Sequence, residues 1–130
     1  MSDRNSALRW LEFAQTDVRM AQLALPESLF AAVCFHAQQA VEKSMKAILA
    51  MREENIPKTH SLARLSDQIG GSEFDDLEAA LTRLDDVYLT SRYPDLLPGS
   101  LPEGLPTQQV AEQVLAAAQI VYERVSSMME

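Results

Sequence analysis

His36, Gln39, Lys43 and Lys46 recur at spacings of three and four, so on a helix they share one stripe. Glu42 lies beside that stripe, four residues before Lys46, the spacing at which a carboxylate and an ammonium pair. Two readings of the stripe stay open. It is the solvated face of a bundle helix, or it is a polar pocket with two ammonium groups placed for phosphate. His60 stands at or near the start of the next helix. There it caps the helix, packs as a neutral core histidine, or hydrogen-bonds a phosphate and carries a proton, as imidazole does near neutral pH.

Arg92 follows Tyr88 by four residues and Leu84 by eight, so it continues an apolar seam. An arginine there needs a partner, because an unpaired buried charge is costly. The partners open to it are Glu42, an acid of its own helix, helix-terminal carbonyls, or a ligand. Tyr93 and Pro94 set the direction of the chain beyond it. Cys34 and His36 are two apart and point different ways on a helix, so they form no metal pair. A single cysteine excludes an internal disulfide and a cysteine-based zinc site. No P-loop, dinucleotide fingerprint, HExxH or catalytic serine signature is present. No metal and no cofactor is expected.

The elements that carry these residues read as helices. Ala7, Leu11, Ala14, Val18, Ala21 and Leu25 draw one seam, widened by Leu8, Trp10 and Phe13, and Pro26 stops it. A second helix is expected from Glu27 or Ser28 to about Glu54, with Asn55 in the left-handed position that follows a helix and Pro57 beyond it. Thr59 or Ser61 caps a short helix with Leu62, Leu65 and Ile69 inside, ended by Gly70-Gly71. Ser72 is expected to cap the next helix, with Asp75 three residues on and a seam of Phe74, Leu77, Leu81, Leu84 and Tyr88. Residues 93–106 read as one long loop, rich in proline. Thr107 caps a last helix lined by Val110, Val114, Ala117, Val121 and Val125. The expected fold is all-α, an up-and-down four-helix bundle with one additional short helix, in a single domain over residues 1–130.

The net charge of −8 disfavours a general electrostatic attraction to duplex nucleic acid or anionic membrane. Within it, residues 43–64 carry Lys43, Lys46, Arg52, Lys58 and Arg64 against Glu53 and Glu54. That local excess of cations suits a nucleotide phosphate, or else merely compensates a helix C-terminus. No aromatic ladder for stacking the bases of a long RNA is evident. There is no signal-like apolar segment at the start and no run long enough to span a bilayer, so a cytoplasmic protein is expected.

Three segments carry a resemblance. They are Gln38-Gln39-Ala40-Val41-Glu42-Lys43-Ser44-Met45-Lys46, Thr59-His60-Ser61-Leu62 and Arg92-Tyr93-Pro94-Asp95, preceded by Trp10 and Asp17. In this order the chain resembles the HEPN domain (higher eukaryotes and prokaryotes nucleotide-binding). The resemblance implies a bundle, usually homodimeric, that often works beside a separately encoded minimal nucleotidyltransferase in a toxin–antitoxin-like system. It implies nucleotide or RNA binding, with Gln39, Glu42, Lys43, Lys46, His60, Arg92 and Tyr93 as the ligand-binding candidates. Cleaving members resemble one another in an Arg followed four to six residues later by His. Arg92 is followed at those distances by Leu96, Leu97 and Pro98, so the full RNase motif is absent. The alternatives are a metal-independent RNase toxin using Arg92 with His60 or His36, and a helical interaction module without a ligand.

Overall fold

The computed structural model describes residues 3–92 and 106–130, with the backbone alone at residues 3 and 89–92. Five α-helices follow one another: α1 (Asp3–Ala24), α2 (Phe30–Met51), α3 (Leu62–Ile69), α4 (Glu78–Arg92) and α5 (Gln108–Met128). No strand occurs among the described residues. The four long helices and the short α3 make the expected all-α bundle. Tyr93 and the rest of the expected loop up to residue 105 lie outside the described residues.

Helix α2 is the centre of the bundle and packs against each of the other four. Its sequence explains this. Val33, Cys34, Ala37, Ala40, Val41, Met45, Ile48 and Leu49 are all buried, which is more than one narrow seam. Small residues on both helices let α1 approach closely, with Ala7, Ala14 and Ala21 fully buried. Trp10 meets Lys46, Phe13 meets Lys43 and Asp17 meets His36. Numbers that rise on α1 as they fall on α2 mean that the two helices are antiparallel. Phe35 against Tyr88 and Gln38 against Asp85 place α4 antiparallel to α2 in the same way.

Helix ends depart from the expectation where backbone geometry decides. Pro26 sits in a 3-10 turn, Leu25–Glu27, and Ser28 takes the left-handed conformation with φ 58°. α2 therefore starts at Phe30 rather than at Glu27 or Ser28. At its other end the left-handed residue is Glu53, φ 61°, not Asn55. The Glu54 N–H then reaches back to the Leu49 carbonyl at 3.0 Å, the six-to-one bond that closes a helix end. Ser61 caps α3, its hydroxyl accepting from the Arg64 N–H at 3.2 Å. Thr107 caps α5 likewise through the Val110 N–H.

Ser72 does not cap α4. Phe74 is buried, and the turn that buries it continues as a 3-10 segment, Asp75–Leu77, so that α4 begins only at Glu78. Ser72 is too far upstream to reach the free N–H groups. Arg124 of α5 ties this segment down instead, donating to the Glu73 carbonyl at 3.1 Å and to both Asp76 oxygens at 2.9 and 2.6 Å. Those hydrogen bonds hold the Asp76 carboxyl below its ordinary range. Among the described residues, no helix is long and apolar enough to cross a membrane.

Candidate functional site

Two buried carboxylates organise the polar side of α2. Glu42 has a side chain only 5% exposed and receives three donors or partners. Lys46 Nζ lies 2.9 Å from Oε2, Gln39 Nε2 3.2 Å from Oε1 and His60 Nδ1 2.9 Å from Oε1. Lys46 is also buried and stands over the Trp10 ring, 5.6 Å from its centroid. The solvated-face reading therefore fails at Glu42 and Lys46. They form a buried ion pair at the expected four-residue spacing, which stands only because each charge is hydrogen-bonded.

His60 is neither a core histidine nor the cap of α3. Its side chain is 60% exposed while Nδ1 is held by Glu42. That hydrogen bond fixes the ring and turns Nε2 away from the carboxylate, the arrangement of a histidine oriented by an acid. Gln38, fully buried, donates to the His60 carbonyl at 2.6 Å and accepts from Gln39 at 2.8 Å. It also lies close enough to Asp85 of α4 to favour that residue's ionised carboxylate. Asp85 in turn accepts from the Leu62 N–H at 3.0 Å and the Ala63 N–H at 3.3 Å, so it serves the start of α3 alongside Ser61. Burial raises the Asp85 carboxyl above its ordinary value in spite of these bonds.

The second carboxylate is Asp17 on α1, also buried. Its Oδ1 meets His36 Nδ1 at 2.8 Å and its Oδ2 meets Lys43 Nζ at 2.7 Å. The stripe of α2 thus alternates between two acids. His36 and Lys43 belong to Asp17, and Gln39 and Lys46 to Glu42.

An aromatic cluster joins the two groups. Phe35 meets His36 edge-on at 5.1 Å between centroids and stacks on Tyr88 at 5.8 Å. Tyr88 meets the His60 ring at 5.5 Å. The aromatic continuity that the sequence did not reveal is assembled here from α2, the connection before α3, and α4. Arg92 closes α4 one helical turn beyond Tyr88. Its side chain, like the whole of Tyr93, lies outside the described residues.

Gln38, Asp17 and Asp85 were not among the candidate residues. Two of them carried a signal. Gln38 sits four residues after Cys34 and three before Val41, and Asp17 sits three after Ala14 and four before Ala21. Polar residues on buried seams must find partners. Cys34 lies in the core, where burial pushes its thiol up to about 11. Arg52 donates to the Ile69 carbonyl at 2.7 Å, so this cation of residues 43–64 anchors the end of α3.

A family model described as the HEPN domain matches residues 7–128. The fold is similar to the crystal structure of TT1696 from Thermus thermophilus, at 32% identity and a TM-score of 0.81, covering 95% of this chain and 98% of that one. It is similar also to ST0689, an archaeal HEPN homologue, at 24% identity and a TM-score of 0.75, again covering 95% of this chain and 98% of that one. Comparison with curated proteins gave no match. The family match spans nearly the whole bundle, including the α2 segment, the turn at His60 and α4 at Tyr88 that meet around Glu42, and on that footing the chain belongs to the HEPN domain family.

Proposed function

We propose that the chain is a nucleotide-binding HEPN protein that works, as a homodimeric single domain, beside a minimal nucleotidyltransferase. The observation that supports this most is His60, held through Nδ1 by buried Glu42 with most of its side chain open to solvent. An oriented imidazole with a free outer nitrogen suits a phosphate oxygen or a P–OH group. Glu42, Lys46, Gln39 and Gln38 are its positioning residues. Arg92, whose backbone closes α4 one turn beyond Tyr88, is the proposed cation of this site, and Lys43 follows Glu42 on α2. The test is a calorimetric titration of the purified chain with nucleoside mono-, di- and triphosphates, alone and with the nucleotidyltransferase. His60→Ala and Arg92→Ala each lower nucleotide affinity about tenfold or more, the worth of one charge-assisted hydrogen bond. Wild-type affinity in both variants would refute the reading.

The Glu42–His60 pair also favours a second reading, metal-independent RNA cleavage. A carboxylate-held imidazole is a base able to take the 2′-hydroxyl proton, and Arg92 supplies charge for the phosphoryl group. Cleavage of RNA by the purified chain in chelator, lost in both His60→Ala and Arg92→Ala, would establish this second reading. Intact RNA beside tight nucleotide binding would establish the first.

A further inference from the structure

We infer that Asp17, His36 and Lys43 form a separate anion site on the α1–α2 face, built for a phosphate or phosphomonoester group. One buried carboxylate here serves two bases at once, Oδ1 to His36 and Oδ2 to Lys43 at 2.8 and 2.7 Å. This group holds a second proton-accepting centre that the acid does not neutralise when it is charged.

Both bases are partly exposed. The His36 and Lys43 side chains are 22% and 25% exposed, whereas Asp17 is 9% exposed. Asp17 occupies Nδ1 of His36, which leaves Nε2 for a ligand. It occupies one of the three N–H groups of Lys43, which leaves two. A phosphate oxygen accepts from Lys43, and a second oxygen shares one proton with His36 Nε2, the proton resting on the imidazole or on the phosphate. A phosphate can bring a P–OH to an unprotonated Nε2 while another of its oxygens accepts from Lys43, and an ionised carboxylate carries no such proton. Phe13 borders the site, with Lys43 Nζ 5.9 Å from its ring centroid, and is exposed enough to cover one side of the ligand's organic part. His36 also meets the Phe35 ring, on which Tyr88 stacks. No other described acid is hydrogen-bonded to either base, so Asp17 is the acid that a phosphate has to tolerate.

This site uses none of the residues that orient His60, so the two readings fail separately. The chain has two histidines, and an imidazole NMR titration therefore has two readouts. The experiment adds inorganic phosphate to the full chain at constant pH and ionic strength, with chloride as the control and His36→Gln to assign the signals. The expected result is a saturable shift of the His36 signals, with affinity falling about tenfold or more in Lys43→Met. Circular dichroism confirms that the partly exposed Lys43→Met variant is folded, and Lys43→Arg, which keeps the charge, retains binding. A titration that moves His60 alone, moves neither ring, or is unchanged in folded Lys43→Met would overturn the assignment.

Discussion

Removing the Glu42 carboxylate is the sharpest test of how the polar side of α2 is built. Glu42→Ala leaves the Lys46 ammonium, only 9% exposed, without its counter-charge, frees Nδ1 of His60, and takes one of two acceptors from Nε2 of Gln39, which still donates to Gln38. Breaking a buried pair by deleting one partner costs about 3–5 kcal/mol. A domain of this size holds about 5–15 kcal/mol in total, so the variant sits near its unfolding threshold. Glu42→Gln keeps the shape and one acceptor oxygen, and costs about 1.5–3 kcal/mol, the range for hydrogen bonds to a charged group. Replacing both partners, Glu42→Leu with Lys46→Met, removes the orphaned charge and recovers most of the loss, because apolar replacements of a buried pair are commonly neutral or better. Urea unfolding followed by circular dichroism measures all three. Trp10, the only tryptophan, stands against Lys46 and gives a second probe by fluorescence. Glu42→Ala within about 1 kcal/mol of wild type, or a double variant no more stable than that single one, would refute a buried and mutually dependent pair.

Other outcomes follow from single residues. Glu53 holds a left-handed backbone at an exposed helix end, so Glu53→Gly raises the urea midpoint by an amount worth up to about 1 kcal/mol. Gly70 has φ 73° with open space where a Cβ would stand, so Gly70→Ala costs about 1–2 kcal/mol from backbone strain alone, and an unchanged midpoint would contradict this. The Cys34 thiol is raised from 9.0 to about 11 chiefly by burial. The folded chain therefore keeps this proton after the unfolded chain has lost it. Stability that is complete below pH 9 is lost as pH rises towards about 11, by at most about 2–3 kcal/mol. Alkaline unfolding monitored in wild type and Cys34→Ala reads that slope, which is flatter in the variant. Asp85→Ala removes the acceptor for Leu62 and Ala63 and costs about 1–2 kcal/mol. With its carboxyl raised in the folded state, Asp85 favours the fold most in acid and loses that contribution as pH climbs through its folded value, so Asp85→Asn narrows its deficit above that pH.

Helix number and order were legible because each apolar seam repeats the helical period, and the caps at Ser61 and Thr107 follow from hydroxyls that have an N–H three residues ahead. The ends of α2 were not. They depend on which residue absorbs a left-handed turn, and Ser28 and Glu53 do so without the glycine or asparagine that announces such a position. Ser72 failed for a similar reason, since burying Phe74 outweighed a cap worth about 1 kcal/mol. The candidate stripe was legible as a stripe, and the Glu42–Lys46 pair with it. Its depth was not, because spacing along one helix says nothing of what lies opposite. Asp17 and His60 come from other segments, and each reaches α2 only after folding.

That placement ties the candidate sites to the fold itself. α2 supplies the middle of the core on one side and residues of both carboxylate-centred groups on the other. Gln38 stands between them, bonded to the His60 backbone and close to the acid that serves α3. A single substitution in this network changes a ring orientation and the stability of the bundle together. Loss of binding in Glu42→Ala alone would therefore mean little. The informative comparison is the double variant Glu42→Leu with Lys46→Met, which keeps the bundle and deletes the orienting charge. If that protein is as stable as wild type and still binds nucleotide through His60, the carboxylate serves the fold and orients nothing.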